Sequence, residues 1–219
     1  MEALIDLFLH LDTHLTEIVA TYGRWVYAVL FLIIFAETGL VVTPILPGDS
    51  LLFAAGALAA TGALDIRILL VLLIVAAVLG DGVNYAVGDA VGPRIFRSVD
   101  RTSWWQRMLN REHLARAHDF FEKYGGKAIV LGRFVPIVRT FVPFVAGAGT
   151  MTYGSFAFYN VTGALIWVGH CTGAGYAFGN VPIVRDNFSL VAVGIVAVSL
   201  IPIAWEYLRS GREKRRKAA

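Results

Sequence analysis

Long apolar runs alternate along the chain with breaks marked by proline, glycine or charge. A helix that crosses a bilayer needs about 20 mostly apolar residues, whereas apolar runs of about 10–14 are more often buried or re-entrant. By length, Ile68–Val91, Phe156–Phe178 and Phe188–Leu208 predict crossing helices, within segments 66–92, 154–180 and 187–208. Two other runs are interrupted: Trp25–Ala60 by Pro44, Pro47 and Gly48, and Lys127–Thr150 by Pro136 and Pro143. Proline removes a helical donor and clashes with the preceding turn, so each interruption is expected to end or kink a helix. Backbone freed at membrane depth must be satisfied within protein or by a wet cavity. Segments 24–62 and 126–150 are therefore read as re-entrant hairpins that dip in and return to the same side.

The polar stretches complete the organisation. Residues 1–23 carry Asp6, His10, Asp12, His14 and Glu17 among apolar positions, lack the basic start and cleavage site of a secretory signal, and read as an amphipathic surface helix. Residues 93–125 are basic with interleaved Trp104, Trp105, Phe120 and Phe121, the composition of an interfacial segment with aromatic anchors. Residues 209–219 are a basic tail. With both hairpins re-entrant, the tail's six Lys and Arg and the eight from Arg94 to Lys127 fall on one side, against Arg24, Arg67 and Arg185 on the other. The positive-inside rule makes the richer side, and the C-terminus, cytoplasmic.

Composition agrees with a membrane chain. At 57% hydrophobic and 16% charged residues, with mean hydropathy +0.66, it lies outside the soluble range of about 45–50% apolar and about 25% charged. With Cys171 the single cysteine, no intrachain disulfide can form, and it reads as a small residue of an apolar run.

An internal repeat accompanies the pattern. At an offset of 91 residues Phe53–Ala57 (FAAGA) falls on Phe144–Ala148 (FVAGA), and Tyr85–Gly88 (YAVG) on Tyr176–Gly179 (YAFG). Each unit is one hairpin followed by one crossing helix, and a single crossing inverts the second unit, an arrangement known from transporters. The expected fold is an all-α polytopic membrane protein with two opposed re-entrant helical hairpins in an inverted repeat. Gly88 and Gly92, Gly169 and Gly173, and Gly175 and Gly179 have the four-residue spacing that lets helices approach closely.

Charges inside apolar segments carry the chemistry. A charged side chain at the centre of a membrane helix costs about 2.5–3.5 kcal/mol on insertion scales, so each example needs a reason. The first hairpin carries Glu37 and Asp49, the second Arg133 and Arg139. Arginine is always charged and presents a two-pronged set of donors to phosphate, which suits Arg133 and Arg139 to an anionic headgroup. A carboxylate in a low-dielectric site can exchange a proton near neutral pH, as proton-coupled carriers require. Simpler roles stand beside these: Asp49 as a helix N-cap, Glu37 as counter-ion to one arginine, the arginines snorkelling to the interface. Asp81, Asn84 and Tyr124 are secondary candidates, and for Asp81 and Asn84 helix-to-helix hydrogen bonding is an equal alternative.

At these residues the sequence resembles the DedA family of bacterial inner-membrane proteins, related to VTT-domain lipid scramblases. "FAETGLVVTPILPGDSLL" is similar to the family's Glu-x-Gly, Pro, Pro-Gly-acid element, with Glu37, Gly39, Pro44, Pro47, Gly48 and Asp49. "GRFVPIVRTFVPFVAG" is similar to its Gly-Arg-Phe, Arg, Pro, Gly element, with Arg133, Pro136, Arg139, Pro143 and Gly147; "GDGVNYAVG" and "GALIWVGHCTGAGYAFG" extend the likeness. The resemblance implies proton- or potential-dependent flipping of undecaprenyl phosphate, or of phospholipids such as phosphatidylethanolamine, with importance for Glu37, Asp49, Arg133 and Arg139. It also implies a bacterial inner (plasma) membrane location.

Lipid, protons and the membrane are thus the expected partners; a homo-oligomer is left open, and nucleic acid is not suggested because the basic residues flank membrane segments. An intramembrane phosphatase needs an activated nucleophile or a metal, and none of His10, His14, His113, His118 and His170 lies in either hairpin. No enzyme, cofactor or metal is expected. A non-transporting scaffold or an ion channel is the alternative of another class.

Overall fold

The computed structural model describes residues 11–40, 48–97, 111–149, 151–182 and 184. The expected crossing helix at 187–208 and the tail at 209–219 lie outside these residues, as do Pro44, Pro47, Trp104 and Trp105. Seven helices and no strand are found among the described residues: α1 (Leu11–Gly39), α2 (Gly48–Ala60), α3 (Ile66–Arg97), α4 (Arg111–Tyr124), α5 (Lys127–Gly132), α6 (Pro136–Ala148) and α7 (Tyr153–Gly179).

Among the described residues only α3, over Ile66–Gly92, is both long and apolar enough to cross a membrane. The apolar stretches Trp25–Gly39, Gly48–Ala60 and Val138–Ala148 are too short, as re-entrant arms are. Helix α7 has 27 residues, but Tyr, Asn160, His170 and glycines dilute its apolarity. The helix bounds add two details to the sequence reading. Helix α1 runs unbroken through 23 and 24, because Gly23 alone only weakens a helix by about 1 kcal/mol and no proline follows it until Pro44. Pro136 does open a helix, after an extended Val135, but Pro143 sits inside α6 rather than ending it.

The chain forms two compact units. Of the described residues, 11–24, 48–66, 171–182 and 184 fall in the first, and 25–40, 67–97, 111–149 and 151–170 in the second. In the first, α2 packs on the end of α7. A Cβ at Gly56 would land on the Thr172 carbonyl, one at Gly175 on the Phe53 carbonyl, and one at Gly179 would come 2.8 Å from the Ala57 carbonyl oxygen. In the second, α6 packs on α3 in the same manner: Gly147 meets the Tyr85 carbonyl, Gly88 the Phe144 carbonyl and Gly92 the Ala148 methyl. One packing thus occurs twice, Phe53 and Gly56 answering to Phe144 and Gly147, with the opposing glycine one helical turn displaced from the 91-residue offset. The third glycine pair differs, since Gly169 and Gly173 face open space.

The core of the second unit lies under α6. Tyr85, Leu114, Ala117, Ile129, Val138, Phe141, Phe144 and Phe156 are buried together there. Helix α4 supplies Leu114 and Ala117 from one face while Arg116, His118, Asp119, Glu122 and Lys123 stay exposed on the other. It ends at Gly125, whose φ of +56° favours glycine, and its N–H donates to the Phe121 carbonyl at 2.7 Å.

Candidate functional site

The site is built where α1 ends against α3. A methyl group on Gly39 would come 3.3 Å from the Gly80 carbonyl oxygen, and one on Gly80 would overlap Thr38 Oγ1, so the two backbones meet directly. This crossing brings Glu37 and Thr38 alongside Asp81. Asn84, one turn further along α3, donates from Nδ2 to the Thr38 carbonyl at 3.1 Å and to the Thr140 carbonyl at 2.8 Å. One buried amide thereby ties the end of α1 and the middle of α6 to α3.

The two arginines come from opposite sides of the Pro136 break. Arg133 lies in the turn after α5 and Arg139 in the first turn of α6. Arg133, only 5% exposed, donates from Nη2 to Asp81 Oδ2 at 2.5 Å and to Asn160 Oδ1 at 2.7 Å. Asn160 is fixed in that sense because its Nδ2 donates to the Val78 carbonyl at 3.0 Å, which can only accept. Arg139 forms an ion pair with Glu37. Both guanidinium groups lie near the ring of buried Trp167, with Cζ 5.6 Å from its centroid for Arg133 and 5.3 Å for Arg139. The aromatic face attracts both cations while adding no charge.

Glu37, Thr38, Asp81, Arg133, Arg139, Thr140 and Trp167 line a small cleft whose free space, about 10 Å³, is room for about one water. Its two carboxylates and two guanidinium groups sum to zero formal charge. Buried charges persist when paired and hydrogen-bonded, and these are: the resting cleft is a closed set of two ion pairs. Arg133 Nε is among the buried polar atoms with no hydrogen-bond partner among the described residues. It lies against Gly163 of α7, where a Cβ would stand 3.0 Å away.

The predicted residues divide. Glu37, Arg133, Arg139 and Asp81 meet in the cleft, and Asn84 supports it from behind. Asp49 belongs to the first unit, exposed in the first turn of α2, where its charge suits the helix dipole. Tyr124 is outside the lining, at the end of α4 with its ring 4.6 Å from Phe120 and 5.0 Å from Lys123 Nζ. Gly39 and Gly147 are packing glycines, as above. Trp167, Asn160, Thr38, Thr140 and Gly80 were not singled out from the sequence. Asn160 and Trp167 carried a signal, as polar or amphipathic groups inside the apolar run of α7; Gly80 carried none, being one of 22 glycines.

An all-helical protein with two ion pairs sealed into an apolar fold is the class these features define. The profile of the VTT domain family matches residues 46–177, a span that includes Asp49, Asp81, Arg133, Arg139 and Trp167. Over 217 residues the chain is 54% identical to Protein DedA of Escherichia coli (strain K12), covering 98% of this chain and 97% of that protein. It is 40% identical over 157 residues to inner membrane protein YqjA of the same strain, covering 72% and 69% respectively. An uncharacterized membrane protein of Mycobacterium tuberculosis (strain ATCC 25618 / H37Rv) is 41% identical over 196 residues, 89% of this chain and 84% of that protein. No solved structure is significantly similar. The chain belongs to the DedA family of VTT-domain proteins.

Proposed function

We propose that the protein is a proton-motive-force-dependent flippase of the bacterial inner (plasma) membrane that moves a phosphate-bearing lipid. Undecaprenyl phosphate is the first candidate substrate and a phosphatidylethanolamine-type phospholipid the second. The observation that carries the reading is the cleft itself, in which two buried arginines are each held by a carboxylate beside one tryptophan. A purely structural ion pair has no use for a second pair on the same aromatic ring. Phosphate oxygens match arginine donors as carboxylate oxygens do, so a headgroup can take over either guanidinium when its carboxylate is protonated.

The two ion pairs nearly fill the cleft, which keeps about 10 Å³ of free space, so a headgroup enters only as the pairs open and the acyl or prenyl chain stays outside, against the exposed apolar faces of the helices. Membrane embedding is supported by the apolar span of α3 and by the names of relatives such as inner membrane protein YqjA. The doubled packing of α2 on α7 and α6 on α3 supports an inverted repeat of hairpin and crossing helix, the architecture of alternating access. Asp49 keeps a proton-coupling role through the family resemblance, and the basic segments keep the C-terminus cytoplasmic.

The test is transbilayer movement of fluorescent undecaprenyl phosphate in proteoliposomes with and without an imposed pH gradient. Movement that depends on the gradient and is lost in Arg133→Ala and Arg139→Ala is expected. Unimpaired transport by those variants refutes the headgroup role.

A further inference from the structure

We infer that Asp81 is the second proton-exchanging acid of the cleft, and that a phosphate monoester enters it with two protons taken up, one on Glu37 and one on Asp81. This deepens the proposed function and rests on its reading of the cleft as a lipid-phosphate site.

Charge conservation in a buried space leads there. The charged residues lining the cleft are Glu37 from α1, Asp81 from α3, Arg133 from the turn before α6 and Arg139 from α6; α7 contributes only Asn160 and Trp167, neither of which titrates there. The resting sum is zero. A phosphate monoester is dianionic above its second pKa of about 6, so its entry alone leaves two uncompensated negative charges out of water, which costs several kcal/mol per ion. Two protons restore neutrality. A phosphodiester brings one negative charge and needs one.

The ion pairs say where the protons go. Arg133 is held by Asp81 rather than by Glu37, and Arg139 by Glu37, so freeing both arginines requires discharging both acids. Arg133 keeps its bond to Asn160 in either state, which holds the guanidinium in place while Asp81 lets go. Its Nε, buried with no hydrogen-bond partner among the described residues, is a further donor for a phosphate oxygen.

The experiment titrates the detergent-solubilised full chain with dodecyl phosphate between pH 7.5 and 8.5, where the free monoester is a dianion, with inorganic phosphate as the tail-less probe and dioleoyl phosphatidylglycerol as the diester. Two coupled protons make wild-type affinity for dodecyl phosphate fall about 100-fold per pH unit; Asp81→Asn, like Glu37→Gln, is expected to lower this to about tenfold, and the diester to show about tenfold with wild type. Infrared difference spectra locate the protons. Two protonated-carboxyl C=O bands are expected on binding to wild type, one of them lost in Asp81→Asn and shifted in Asp81→Glu, a variant that retains the acid if Asn at 81 fails to fold. A tenfold wild-type slope with no band sensitive to position 81 overturns the role of Asp81 and leaves lipid-phosphate binding standing. Absence of any phosphate binding by wild type removes both. Equal affinity for inorganic phosphate and dodecyl phosphate identifies free phosphate as the ligand and overturns the lipid assignment.

Discussion

Separating the pair of Arg133 and Asp81 by a double-mutant cycle tests the central geometry. The perturbations are Arg133→Met, which keeps the apolar stem and removes the charge, Asp81→Ala, and both together. Asp81 lies near the midpoint of the Ile66–Gly92 span at 4% exposure, and Arg133 is as deeply buried. Removing either partner leaves the other as a buried unpaired charge, expected to destabilise by about 3–5 kcal/mol. That agrees with the roughly 2.5–3.5 kcal/mol assigned to a charge at the centre of a membrane helix. The double variant removes both charges and leaves mainly Asn160 Oδ1 without its donor, worth about 1–3 kcal/mol. The double variant is therefore more stable than either single one, with a coupling energy of about 3 kcal/mol or more. Equilibrium unfolding in mixed dodecyl sulfate micelles, followed by tryptophan fluorescence, measures it. Additive single effects, within about 0.5 kcal/mol, refute the pairing. Transport separates fold from function, since the double variant is expected to fold and yet move no lipid phosphate.

Three further expectations follow from the packing within each unit and from the cleft. Gly147→Ala and Gly56→Ala each press a methyl group onto the facing helix backbone and should cost about 1–3 kcal/mol in the same unfolding assay, whereas Gly173→Ala meets open space and should gain up to about 1 kcal/mol. Gly163→Ala sets its methyl 3.0 Å from Arg133 Nε and 3.1 Å from its Cδ, so Arg133 must give way; dodecyl phosphate affinity should fall while unfolding shifts by less than about 1 kcal/mol. Trp167→Leu removes the ring from two cations at roughly 0.5–2 kcal/mol each, and should weaken phosphate binding more than Trp167→Phe, which keeps an aromatic face.

Much of this was present in the order of residues, and the particular residues show why. Pro136 has no N–H to give and sets the residue before it extended, so the boundary between α5 and α6 is local chemistry and readable as such. Pro143 has the same chemistry and a different outcome, because α6 is packed along α3 by Gly88 and Gly92 and against α4, and tertiary contacts carry the helix through it. The repeat was legible as FAAGA and FVAGA, but the strands of text did not say that each such stretch packs on the helix of the other half.

The amino-acid sequence by itself determined the helical class, the short arms and the presence of buried acids and arginines, because apolar length, proline and charge act within a few residues of where they stand. Which acid holds which arginine was decided only in three dimensions. Asp81 and Arg133 are 52 residues apart, and Glu37 faces Arg139 because Gly39 and Gly80 let α1 and α3 touch at one register and Asn84 pins α6 there. Coulomb attraction is indifferent to identity: any carboxylate satisfies any guanidinium, and only the crossing of backbones sets the distances that make the choice.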